Sequence, residues 1–86
     1  MYKFRWYNRA KSDYLEWQKN DKPITNHVDE LLAEMLKTPF EGQGDPHELK
    51  YNLAGHWSRS ITKEHRLVYK VIGRQIIIVS CRGHYE

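Results

Sequence analysis

Apolar positions recur along the first half of the chain at helical spacing. Ala10, Tyr14 and Trp17 fall at i, i+4 and i+7, which places them on one helix face. Asn8 stands just before this pattern as a candidate N-cap, and the pattern runs out near Asn20-Asp21. Ile24, Val28, Leu31, Leu32 and Met35 then form a second stripe. Pro23 suits its first turn, and Thr38-Pro39 stops it. Before both lies "MYKFRWY", an aromatic-rich segment with weak alternation that reads as a first strand. After them, "PFEGQGDPHE" has the glycine and proline content of a loop. Four short strand candidates follow: "LKYNL", "HWSRSIT", "RLVYKVI" and "QIIIVSCRGHY". Gly73-Arg74 makes a tight hairpin between the last two plausible. A strand, a helix pair and an antiparallel run make an α+β fold. Both helices are short, so they must be held by packing against the sheet.

Alternation along the strands predicts two faces. Arg66, Val68 and Lys70 share one side of their strand, and Leu67, Tyr69 and Val71 the other. In the last strand Ile76, Ile78, Ser80, Arg82 and His84 share a side, opposite Ile77, Val79 and Cys81. If Leu67/Tyr69/Val71 and Ile77/Val79/Cys81 cover the helices, then Arg66, Lys70, Ser80, Arg82 and His84 gather on the open face. Strand pairing brings such residues within about 5–8 Å of one another.

Composition narrows the picture. The chain has 86 residues, 40% hydrophobic and 13% aromatic, which fits a single domain over 1–86 rather than a disordered segment. One cysteine, Cys81, allows no internal disulfide and suits a reducing cytoplasm; it reads as a small buried hydrophobe. No apolar run is long enough to span a membrane, and the first residues lack the apolar block of a signal peptide. The net charge is +3, and its excess lies in residues 42–86, with seven Lys/Arg against four Asp/Glu and four of the five histidines. A basic, histidine-rich half points to an anionic partner such as RNA; ordinary surface charge is the competing reading.

An imidazole can donate or accept a proton near neutral pH, and a guanidinium matches a phosphate. Together they are what metal-free RNA cleavage needs: a base for the ribose 2′-OH, a cation for the transition state and an acid for the leaving oxygen. The histidines match no common zinc spacing, so no metal or cofactor is expected.

Several segments resemble one family. "DYLEWQKNDK" (13–22), "TPFEGQGDP" (38–46), "LKYNLAGHWSR" (49–59), "EHRLVYKV" (64–71) and the terminal "HY" (84–85) are similar to the Txe/YoeB toxins of the RelE superfamily. The resemblance covers nearly the whole chain in the same order. It implies a microbial ribonuclease fold with two N-terminal helices on a curved antiparallel sheet. It also implies a type II toxin that cleaves mRNA on the ribosome and inhibits translation. The implied partners are a YefM/Phd-type antitoxin, operator DNA through the toxin–antitoxin complex, and a second copy in a homodimer.

Residue by residue, the resemblance assigns Arg66 to the phosphate transition state, His84 to the general acid, Tyr85 to RNA positioning and Lys50 to the substrate backbone. Arg59, Lys63, Lys70 and Arg82 are further candidates for RNA contact. The chain departs from the family where "GKPEPLK" is common. His47 replaces the usual glutamate, and Glu48 replaces the following proline. Either can serve as base, or the base is weakened; His47 is favoured. Ser60 replaces the second arginine of "WSRR", and Glu86 is an extra terminal carboxylate. A ParE-like gyrase inhibitor and a non-catalytic ribosome- or RNA-binding module are the competing functions.

Overall fold

A computed structural model describes residues 1–83; His84, Tyr85 and Glu86 lie outside the described residues. Strand β1 (Lys3–Trp6) leads into helices α1 (Asn8–Asn20) and α2 (Lys22–Met35). Strands β2 (His47–Glu48), β3 (Trp57–Ser60), β4 (Arg66–Ile72) and β5 (Gln75–Ser80) follow, with a 3-10 turn at Tyr51–Leu53. The sheet order is β1-β5-β4-β3-β2. All neighbours are antiparallel except β1 and β5, which are parallel. The sheet is therefore mixed, not wholly antiparallel, because the helix pair carries the chain across before it returns beside its first strand. Among the described residues no helix is long and apolar enough to cross a membrane.

Each helix forms where its stripe predicts. Asp21 caps α2, its carboxylate accepting from the Ile24 backbone N–H at 3.1 Å, with Pro23 in the first turn. Asn8 is not the cap of α1. Tyr7 holds that position without a side-chain bond, and Asn8 is already helical. The apolar stripes meet the sheet in one core of Ala10, Trp17, Val28, Leu31, Leu32, Met35, Ile61, Leu67, Tyr69, Ile76, Ile78 and Cys81.

That core corrects the expected faces of the last strand. Ile76 and Ile78 cover the helices, while Ile77 is buried outside that core. Tyr69 pairs with Ile78 but Val68 pairs with Ser80, so the register shifts between them and Val79 is the extra residue. A bulge of this kind reverses the alternation beyond it. Before the bulge Ile76 and Ile78 face the core; after it Cys81 does, and Ser80 turns to the open side with Val68. Tight turning at Gly73, φ 60°, closes the β4–β5 hairpin as expected.

"LKYNL" is not a strand. Leu49 adds one more bond beside β2, its N–H donating at 2.8 Å to the carbonyl of His56, which precedes β3. Tyr51 then adopts φ 58°, and a left-handed residue cannot extend a ladder.

Arg59 is the largest fully buried side chain. Its guanidinium uses all five N–H groups on surrounding acceptors. Nε donates to the Tyr69 hydroxyl at 3.2 Å. Nη1 donates to Glu34 Oε1 at 2.7 Å and the Gln43 carbonyl at 3.1 Å. Nη2 donates to the Thr38 and Glu41 carbonyls at 2.7 and 2.8 Å. The Tyr69 hydroxyl donates in turn to the Pro39 carbonyl at 2.7 Å, and burial raises its pKa, opposed by Arg59. The expectation that Arg59 contacts RNA backbone is thus overturned: no donor is left over, and the side chain is sealed beneath the 38–43 loop. Gly44 completes this packing, since a Cβ there would sit 3.0 Å from the Arg59 Cβ and φ is +84°.

Candidate active site

The open face is built by rows of paired residues. His47 stands opposite Ser58, Ser58 opposite Val68, and Val68 opposite Ser80. Arg66 stands opposite Ser60. The residues between them, Trp57, Leu67 and Tyr69, belong to the helix side, so His47, Ser58, Ser60, Arg66 and Ser80 share the other. Glu48 pairs with Trp57 and takes the helix-side direction. The two base candidates therefore point to opposite faces of the sheet, and only His47 shares a face with Arg66.

The His47 ring has a defined tautomer. Nδ1 lies 3.0 Å from the Asp45 carbonyl oxygen, which can only accept. Nδ1 therefore carries the proton, and in the neutral ring the lone pair is on Nε2. Asp45 itself has φ 51°, a conformation aspartate tolerates better than most residues. The ring is exposed and borders a cavity of about 410 Å³ lined by residues 47–53. Lys50 belongs to this rim, as does Tyr51, 92% exposed. Sequence reading did not single out Tyr51. An aromatic between a lysine and a glycine-containing turn was the signal available.

Arg66 reaches along the face to bond Ser60 Oγ through Nη1. Its Nε is buried and has no partner among the described residues, and neither has Ser58 Oγ. Ser60, which stands where the family commonly has a second arginine, anchors the guanidinium. At ordinary strand spacing His47 and Arg66 have Cα atoms roughly 12 Å apart, and the arginine side chain spans part of that gap.

The remaining candidates are dispersed. Lys70 pairs with Ile77 on the open face, its Nζ 5.5 Å from the Tyr7 ring centre. Lys63 is exposed in the connection between β3 and β4. Arg82 does not join the open face as expected. The strand ends at Ser80, and the Arg82 guanidinium lies over Trp17, 5.6 Å from the ring centre. Cys81 is buried and its thiol is pushed up to about 12, chiefly by burial, so at neutral pH it is not a nucleophile. Among the described residues no three His, Cys, Asp or Glu side chains gather to hold a metal. His84 and Tyr85, assigned to the acid and to RNA positioning, lie outside the described residues. The last described carbonyl, that of Gly83, accepts from the Arg66 backbone N–H at 2.9 Å.

Two helices on a mixed five-stranded sheet, with an arginine and a histidine on its open face, define a small RelE-like toxin fold, and solved toxins share it. A YoeB/ParE toxin from Agrobacterium tumefaciens superposes with a TM-score of 0.94 at 40% identity, covering 96% of this chain and 99% of that one. YoeB from Staphylococcus aureus, solved as a dimer and in complex with YefM, gives 0.89 in each case at 41% and 40% identity. Those matches cover 98% of both chains for the dimer and 99% of both for the complex. The curated Toxin YoeB of Escherichia coli K12 is 49% identical over 83 residues, 96% of this chain and 99% of that protein. Residues 6–85 match the model for YoeB-like toxins of bacterial type II toxin–antitoxin systems. The chain belongs to that family.

Proposed function

We propose that this toxin is a metal-free endoribonuclease that cuts mRNA on the ribosome and so inhibits translation in the cytoplasm. The observation that carries the reading is the common face of His47 and Arg66, with Nε2 of the histidine free to accept a proton. In the proposed reaction Nε2 takes the proton of a ribose 2′-OH. The 2′ oxygen attacks the adjacent phosphorus, and the bond from phosphorus to the 5′ oxygen breaks. Products are a 2′,3′-cyclic phosphate and a 5′-OH. Arg66 balances the charge that builds on the non-bridging oxygens. His84 gives its proton to the leaving oxygen, and Tyr85 and Lys50 position the strand. The Asp45 carbonyl supports the base throughout, because the Nδ1–H it accepts becomes more acidic as the ring takes a second proton.

The opposed directions of His47 and Glu48 lead to a separable outcome. His47→Ala is expected to lower the cleavage rate by about 10²–10⁴, the usual worth of a general base, while Glu48→Ala leaves it near wild type. Mapping new mRNA 5′ ends on stalled ribosomes with wild type, both variants and His84→Ala checks this. Rate lost in Glu48→Ala but kept in His47→Ala reverses the assignment. Ribosomes bound tightly with no new ends mark a binding module, and DNA breaks with intact mRNA mark gyrase inhibition.

For partners we infer a YefM-type antitoxin and a homodimer, since a relative covering nearly the whole chain is solved in both states. Operator DNA is assigned to the toxin–antitoxin complex.

A further inference from the structure

Each of the three described residues after β5, Cys81, Arg82 and Gly83, is held by hydrogen bonds. Cys81 donates its N–H to Asp13 Oδ2 at 3.1 Å, and its carbonyl accepts from Trp17 Nε1 at 2.8 Å. Arg82 lies over Trp17, and its carbonyl faces Arg9 Nη2 at 3.5 Å. These contacts tie residues 81 and 82 to α1. Gly83 is tied instead to the start of β4. Its carbonyl accepts from the Arg66 N–H, and its own N–H donates to His65 Nδ1, both at 2.9 Å. Among the described residues nothing lies within 4 Å of where a Gly83 Cβ would be, so their packing does not fix this residue. Its two hydrogen bonds do.

We propose that His65 is a positioning residue for RNA cleavage, setting the peptide unit from which His84 and Tyr85 continue; this rests on the ribonuclease reading above. The bond it makes has a chemical requirement. Nδ1 must present a lone pair to the Gly83 N–H, so the ring proton sits on Nε2. This is the opposite tautomer to His47. The ring is kept in place by its edge contact with Trp17, centre to centre 4.8 Å. Trp17 therefore serves the segment twice, through Cys81 directly and through His65. One bond to Gly83 comes from backbone and the other from a side chain, so only His65 can be removed by substitution. Gly83 and the Arg66 guanidinium are thus referenced to adjacent residues, His65 and Arg66. A misplacement of about 1 Å at a reacting group can cost about 10² in rate.

His65→Phe keeps an aromatic edge against Trp17 and removes the acceptor. His65→Asn restores an oxygen near the place of Nδ1. Cleavage of ribosome-bound mRNA and exchange of the Gly83 amide proton are measured on each. The expected result is a kcat lower by about 10² in the phenylalanine variant with KM unchanged, and a faster-exchanging Gly83 amide. The asparagine variant recovers both. His65→Leu replaces the phenylalanine variant should that one fail to fold. A freed Gly83 amide with wild-type kcat overturns the role, as does an asparagine variant with a protected amide and no recovery of rate. Equal cutting by all variants removes the role and leaves the ribonuclease reading. No cutting by wild type removes both.

Discussion

Arg66→Ala is expected to lower the rate of mRNA cleavage by about 10²–10³, the loss typical when one well-placed electrostatic stabiliser is removed. The protein should remain folded. The Arg66 side chain is half-buried and among the described residues makes one side-chain bond, to Ser60 Oγ, while its backbone N–H still holds the Gly83 carbonyl. Arg66→Lys should fall between wild type and alanine, because an ammonium keeps the charge but not the fork that meets two phosphate oxygens. Single-turnover cleavage on programmed ribosomes, with circular dichroism to confirm folding, tests the series. A folded alanine variant that cuts at the wild-type rate would remove Arg66 from the reaction. His47 would then be left on the open face without its cationic partner.

Arg59→Ala should produce the largest loss of stability. Truncation leaves the Thr38, Glu41 and Gln43 carbonyls without their shared donor and opens space beneath the 38–43 loop. Losing the guanidinium's hydrogen bonds to these three carbonyls, at about 1 kcal/mol each, implies a destabilisation of about 3 kcal/mol. A chain of this length has about 4–13 kcal/mol in total, and the melting temperature should fall by about 12 °C or more. Arg59→Lys should rescue little, since an ammonium has three donors where the guanidinium uses five. Thermal and urea unfolding measure both. A melting temperature unchanged in Arg59→Ala would mean that the loop is held by other contacts.

The same cluster gives stability a pH dependence of known sign. The Glu34 carboxyl is held below its ordinary 4.5, first by the Gln43 backbone N–H and then by Arg59. A carboxylate whose pKa is lower in the folded protein binds fewer protons there than in the unfolded chain. Its contribution is complete above 4.5 and is lost as pH falls through the lowered value. Glu34→Gln should therefore be less stable at neutral pH and show a flatter decline in acid. A Glu34→Gln curve parallel to wild type through that range would show that the carboxylate is not linked to folding.

Much of the molecule was legible in the order of its residues. The stripes Ala10/Tyr14/Trp17 and Ile24/Val28/Leu31/Leu32/Met35 place both helices, because helical period is a local property. Gly73-Arg74 marks the hairpin for the same reason. Arg66 and His47 stood out by chemical type and by resemblance to a family. By alternation His65 falls on the opposite side of the chain from Arg66, which gives no sign of a role at Gly83. Its bond to Gly83 joins residues 18 positions apart.

The sequence by itself determined the elements, their order, the hairpin and the family. Tertiary structure decided which way the side chains face and which charges are inside. One extra residue at Val79 exchanges the two sides of a strand, and strict alternation has no way to register it. Arg59 is an ordinary surface cation by composition. It becomes an interior clamp only because folding brings Glu34, 25 residues away, and the 38–43 carbonyls around it. Period is set by neighbours in the chain, whereas burial of a charge is set by partners in space.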